Sequence, residues 1–166
     1  MTAITLRLQT RADTECLAAT VARATRPGDA ILLSGPLGAG KSVFARAFLR
    51  RLCLDPALDV PSPTFTLVQT YDAPVAPVAH FDLWRLDGPG ALEELGWDDA
   101  RNGVVLVEWP ERLEDMTPPD ALCIALATDA FVAEDHHDRD DVPRIATLSG
   151  WPDRLGGLLT DGVSTI

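Results

Sequence analysis

Long apolar runs are missing from this chain of 166 residues. No stretch approaches the roughly 20 apolar residues that a membrane-spanning helix needs, so no membrane association is expected. The start, MTAITLRLQTR, shows no basic segment leading into an apolar run and a small-residue cleavage site, and a cytoplasmic location is the expectation. Cysteine is scarce. Cys16, Cys53 and Cys123 are odd in number and far apart, and no CxxC occurs. That argues against a disulfide framework or a zinc knuckle, and the three are read as buried small hydrophobes. Positive charge is also short: 14 Lys and Arg stand against 25 Asp and Glu, for a net charge of −11. Such a surface repels a phosphate backbone and argues against tight nucleic-acid binding by this chain alone. No internal repeat, low-complexity segment or long linker interrupts it. With 46% hydrophobic residues, 1–166 is expected to form a single domain with one core, frayed after about residue 160.

What is present reads as alternating strands and helices. ITLRLQT alternates like a strand, and ADTECLAATVARAT follows with Leu17, Val21 and Ala24 at helical spacing. AILLS is the short continuous apolar run of a strand buried on both faces, and SVFARAFLRRL is helical, with Val43, Ala47 and Phe48 on its apolar stripe. DPALDVPSPT carries three prolines and is a loop. FTLVQTY and VAHFDLWRL read as neighbouring strands, DGPGALEELGW as a turn and short helix, GVVLVEW as a buried strand and PERLEDM as a helical turn. ALCIALA and RIATLS are two further strands. DAFVAEDHHDRDDV between them, with His136 and His137, lacks metal-ligand spacing and is read as a solvated hairpin loop. The expected fold class is α/β: a three-layer sandwich around a mostly parallel central sheet, with antiparallel strands added.

The stretch GPLGAGKS satisfies GxxxxGK[ST] at Gly35, Gly40, Lys41 and Ser42, with a buried strand before it and a helix after it. A backbone that curls its N–H groups around phosphate oxygens needs residues tolerant of positive φ and free of side chains, hence Gly35, Gly38 and Gly40. Pro36, Leu37 and Ala39 complete the loop. Lys41 then reaches β- and γ-phosphate oxygens, the Ser42 hydroxyl can ligate Mg²⁺, and the helix N-terminus points its free N–H groups at the same anion.

A phosphate cradle alone hydrolyses nothing, and a neighbouring strand should supply a carboxylate. Glu108 ends the apolar run GVVLVE at a strand's C-terminal edge, where open α/β sheets bind ligands. It is read as the metal-side acid, and Asp82 as the acid nearer the γ-phosphate or its water. PSPTF, with Ser62 and Thr64, sits where P-loop proteins place a segment that senses Mg²⁺ and γ-phosphate.

Taken together, GPLGAGKS, SPTF, HFDLWRL, ELGWDD and LVEWPERL, in this order, closely resemble the bacterial TsaE family, small P-loop ATPases required for threonylcarbamoyladenosine synthesis in tRNA. The resemblance covers Thr14 to Leu113. It implies that Gly35 to Ser42 bind ATP and that Ser42 and Glu108 hold Mg²⁺. It also places Thr64 in a first switch and Asp82 in a second, with Trp109 beside the site and Thr14 near the nucleotide. The implied partners are TsaD and TsaB, which carry out the transfer, with tRNA reached only through them. Three positions depart from the pattern. Pro36 stands where the family usually has an acid, Ser42 where Thr is commoner, and Trp84 where Tyr is commoner. Two other readings of the motif are a small-molecule P-loop kinase and a nucleotide-gated binding module. The acidic late loop, with one arginine, disfavours the arginine-rich lid of a kinase. Arg85 is the nearest arginine-finger candidate.

Overall fold

The computed structural model describes residues 3–129 and 142–159. Among them, seven strands form one sheet: β1 (Ala3–Leu8), β2 (Ala30–Ser34), β3 (Val68–Tyr71), β4 (Val78–Asp82), β5 (Val104–Glu108), β6 (Leu122–Thr128) and β7 (Arg144–Ser149). Their order is β1-β7-β6-β2-β5-β4-β3. The centre, β4-β5-β2-β6, is parallel. β7 runs antiparallel to both β6 and β1, and β3 runs antiparallel to β4 at the other edge. The expected α/β class with a parallel centre and antiparallel additions is what the chain adopts.

Burial explains the patterning. β2, β4 and β5 are covered on both faces, so AILLS and VVLVE carry no solvent-facing alternation. One face packs under α1 (Arg11–Ala24) and α2 (Lys41–Leu52), where Leu17, Val21, Phe44 and Phe48 meet Ile31, Leu33, Val104 and Leu106. On the opposite face lie α3 (Gly90–Glu94), α4 (Trp97–Ala100) and a 3₁₀ segment, Pro110–Met116, which place Leu92, Trp97 and Leu113 on Leu32, Phe81, Val105 and Val107. Trp97 meets Phe81 edge-on, with ring centroids 5.2 Å apart. The start of α1 is fixed by a capping box between Thr10 and Asp13.

Several expectations need correction. The cysteines are not a buried set: Cys16 and Cys123 are exposed and Cys53 is half-buried. Cys123 falls on the outward phase of β6, whose Leu122, Ile124 and Leu126 point to the core. The apolar stripe of α2 is Phe44, Ala45, Phe48, Leu49 and Leu52, while Val43 and Ala47 are half-buried. Val43 is turned from the core because it lines the cleft described below. The strand read in FTLVQTY begins only at Val68, since Leu67 takes a left-handed φ of 66°. The strand read in VAHFDLWRL stops at Asp82. The late loop with His136 and His137 and the tail after residue 160 lie outside the described residues. Among the described residues no helix is long and apolar enough to cross a membrane.

Candidate nucleotide site

β2 delivers the chain to Gly35, whose φ is +139°. A Cβ there would stand 2.2 Å from the backbone oxygen of Leu126 on β6, so glycine alone lets the loop pass this strand. Gly38 and Gly40 also take positive φ, +80° and +102°. Ala39 is buried and its N–H donates to the Pro36 carbonyl at 3.2 Å. Gly40 precedes α2 and offers no side-chain cap, so the first N–H groups of the helix and its positive dipole end are left to the loop.

Lys41, the only lysine in the chain, opens α2 and is buried. Its Nζ donates to the carbonyl oxygens of Gly35 at 2.6 Å and Pro36 at 2.9 Å. Pro36 thus serves the loop through its carbonyl. The same Nζ lies 4.3 Å from the Trp109 ring centroid. Burial pulls the Lys41 ammonium below the ordinary lysine range, while the carboxylates of Glu108, Asp82 and Glu111 act to raise it. Trp109 occupies the left-handed region at φ 59°, and its ring packs on Trp84 with centroids 4.3 Å apart.

The two acids are neighbours by sheet register: Asp82 on β4 pairs with Glu108 on β5, which pairs with Leu33 at the end of β2. Both are buried at the C-terminal ends of parallel strands, where α/β sheets form their sites. Asp82 Oδ1 accepts the Trp84 N–H at 3.1 Å. Its Oδ2 accepts from Ser62 Oγ and Thr64 Oγ1, each at 3.4 Å, and these hydroxyls are 2.9 Å from one another. The proline-braced loop is therefore tied to the end of β4 through Asp82. Glu108 Oε2 lies 3.2 Å from His80 Nε2, with both side chains buried.

One cleft of about 450 Å³ brings together Leu37, Gly38, Gly40, Lys41, Ser42, Thr64, Asp82, Glu108 and Trp109. Thr14 does not line it. It is buried on α1, in a small adjoining recess that shares Gly40, Val43 and Arg144 with the cleft. Arg85 does not line it either, and its guanidinium sits 4.7 Å from the ring of the exposed Phe65.

Sequence reasoning missed two residues. Arg144 of β7 lines the cleft and donates from Nη2 to the Gly38 carbonyl at 3.2 Å. It lies 106 positions along the chain from that glycine, and no local pattern announces the contact. His80 was within reach of a period-two reading. In VAHFD it shares a strand face with Asp82, while Ala79 and Phe81 point to the opposite core. Among the described residues, its Nδ1 is buried without a hydrogen-bond partner, a condition that costs about 1–3 kcal/mol.

Chemically, left-handed glycines at a helix N-terminus make an anion cradle, and a hydroxyl beside two carboxylates makes a hard-oxygen donor set. Comparison with known proteins agrees with the motifs. Residues 8–137 match the family described as "Threonylcarbamoyl adenosine biosynthesis protein TsaE". The tRNA threonylcarbamoyladenosine biosynthesis protein TsaE of Rickettsia conorii is 40% identical over 114 residues, 68% of this chain and 65% of that protein. Its Bacillus subtilis namesake is 35% identical over 116 residues, 69% of this chain and 71% of that one. The matched stretch thus spans about two thirds of the length of these relatives. The crystal structure of Bacillus subtilis YdiB superposes with a TM-score of 0.69 at 26% identity, covering 96% of this chain and 93% of that one. On the strength of the family match and these relatives, the chain belongs to the TsaE family.

Proposed function

We propose that this protein binds and hydrolyses ATP with Mg²⁺ as an accessory factor in tRNA threonylcarbamoyladenosine formation, acting on a TsaD–TsaB complex. The observation that carries the reading is the cleft itself: a glycine cradle at the start of α2 faces Asp82 and Glu108 across the sheet end, in a member of a family named for that biosynthesis.

The residues present fit a magnesium nucleotide. Gly35, Gly38 and Gly40 hold conformations that open backbone N–H groups to a polyphosphate, and Leu37, Gly38 and Arg144 lie at the cleft wall. Among the described residues no cluster of three or more His, Cys, Asp or Glu could hold a metal by itself. Mg²⁺ needs none, because it keeps several waters and binds through one or two protein oxygens plus phosphate. Ser42 and Glu108 are the residues that would hold it, and when bound it neutralises phosphate charge during transfer.

Lys41 exchanges the carbonyl oxygens of Gly35 and Pro36 for phosphate oxygens, so loop closure and phosphate binding use one ammonium. Asp82 Oδ2, which accepts from Ser62 and Thr64, is the acceptor for the attacking water, and movement of the Thr64 loop changes its occupancy. Trp109 covers Lys41 and limits water access to it. In the described residues no arginine other than Arg144 lines the cleft, so turnover is expected to be slow until a partner completes the site.

Calorimetric titration with ATP, with and without Mg²⁺, tests the reading. Wild-type protein should bind, and Lys41→Ala should weaken binding by at least about tenfold through loss of a charge-assisted contact. Absence of ATP binding by the folded wild type would contradict the proposal. Phosphate transfer to a small acceptor in place of water would favour a kinase.

A further inference from the structure

His80 is buried and does not line the cleft itself. It is buried on β4, two residues before Asp82, and the β4–β5 register sets it opposite Leu106, two residue pairs behind the two acids. From there Nε2 reaches diagonally to Glu108 Oε2 at 3.2 Å. A small recess of about 30 Å³ is lined by Ser42, Arg46, Ser62, His80 and Glu108 among others, so the imidazole shares one recess with both residues assigned to Mg²⁺. We propose that His80 is a positioning residue for metal binding, holding one carboxylate oxygen of Glu108 so that the other is presented to the cation.

The choice of side chain supports this. An ionised carboxylate only accepts hydrogen bonds, so the contact requires a proton on Nε2, which an imidazole can carry without a net charge. A neutral ring donating there fixes the orientation of Glu108 without adding charge of its own, whereas a permanently charged side chain cannot. An arginine or lysine in the same place would orient Glu108 equally well and offset its charge. A leucine would fill the volume and leave the carboxylate free to rotate. Among the described residues the buried Nδ1 has no hydrogen-bond partner, while Nε2 faces Glu108. Groups that hold a metal's ligands typically change metal affinity or activity by about 10- to 100-fold when removed.

The inference rests on the proposed Mg²⁺ nucleotide site, and the experiment separates the two. The Mg²⁺ concentration at the midpoint of ATP binding is read by calorimetry, and Mn²⁺ binding in the presence of ATP by electron paramagnetic resonance. Both are measured for wild type, His80→Leu, His80→Gln and His80→Asn, and for the leucine change combined with Glu108→Gln. His80→Leu should raise the Mg²⁺ midpoint about tenfold or more, with metal-free ATP affinity unchanged. His80→Gln, whose amide nitrogen reaches the Nε2 position, should stay within about threefold of wild type, and the shorter His80→Asn should not. In the Glu108→Gln background, His80→Leu should add nothing, because its effect passes through that carboxylate. The glutamine and asparagine pair keeps the test open if the leucine variant does not fold. A folded His80→Leu with a wild-type midpoint, equal midpoints for Gln and Asn, or a further loss on top of Glu108→Gln would each overturn the inference. Wild-type ATP binding that ignores Mg²⁺ would overturn the underlying metal reading, and the role of His80 with it.

Discussion

Lys41 gives the site an unusual handle, because the chain has no other lysine. Selective ¹⁵N-lysine labelling yields a single side-chain probe at the centre of the cleft. ATP should shift its Nζ resonance as the Gly35 and Pro36 carbonyls are released, whereas an unchanged resonance under saturating ATP would contradict the proposed exchange. Gly35 is the most constrained glycine of the loop. Gly35→Ala puts a methyl group 2.2 Å from the Leu126 carbonyl at a φ of +139°, and the backbone has to move. Strain of this kind costs about 1–3 kcal/mol, which for a chain of this size lowers the melting temperature by roughly 2–4 °C per kcal/mol. A Gly35→Ala variant melting with the wild type would refute the close approach. The cysteines make a third test. Burial, with Asp55 and Asp72 nearby, raises the Cys53 thiol, so less of it is thiolate near neutral pH and its reactivity should climb as pH rises past the ordinary thiol range. Cys16 is exposed and should react first with a thiol reagent at pH 8. Peptide mapping that found Cys53 labelled first would contradict this.

At the scale of elements, the best-read parts of the chain were those whose local chemistry leaves little choice. AILLS and VVLVE are legible as central strands because only strands covered on both faces dispense with alternation, and GPLGAGKS is legible because its conformation demands glycine at fixed places. The stripe of α2 was misplaced because a helix N-terminus beside a cleft has two apolar neighbourhoods, and Val43 belongs to the cleft. Cys123 was misread because β6 is covered on one face only, which depends on tertiary packing and not on ALCIALA itself. Arg144 was invisible for the same reason: the β7-β6-β2 order brings it to Gly38. One tertiary tie at this scale is open to mutation. Arg154 pairs with both oxygens of Asp29 at 2.7 and 2.8 Å, donates to the Ala24 carbonyl at 2.8 Å, and stacks 3.7 Å from the Trp151 ring centroid. It pins the segment after β7 to the turn before β2. Both side chains retain some exposure, so Arg154→Ala should cost about 2 kcal/mol, less than the 3–5 of a fully buried pair, as read by urea denaturation. A loss below about 0.5 kcal/mol would show the tie to be a surface pair of little weight.

For the whole molecule, a net charge of −11 decides what the protein can meet directly. It is ill suited to holding a tRNA backbone and well suited to docking on a basic surface of a protein that does. Titration with tRNA should give no binding stronger than the nonspecific range of about 10⁻⁴ M at physiological salt. The same charge makes association with a basic partner faster at low ionic strength. The most direct test of the central proposal is steady-state ATP hydrolysis by the purified protein, alone and with TsaD and TsaB, alongside Lys41→Ala and Glu108→Ala. Slow hydrolysis alone, stimulation by the pair, and loss of at least about a hundredfold in both variants are expected from removing a charge-stabilising group at a phosphoryl-transfer site. Tight ATP binding without hydrolysis in any mixture, or hydrolysis indifferent to both substitutions, would contradict it.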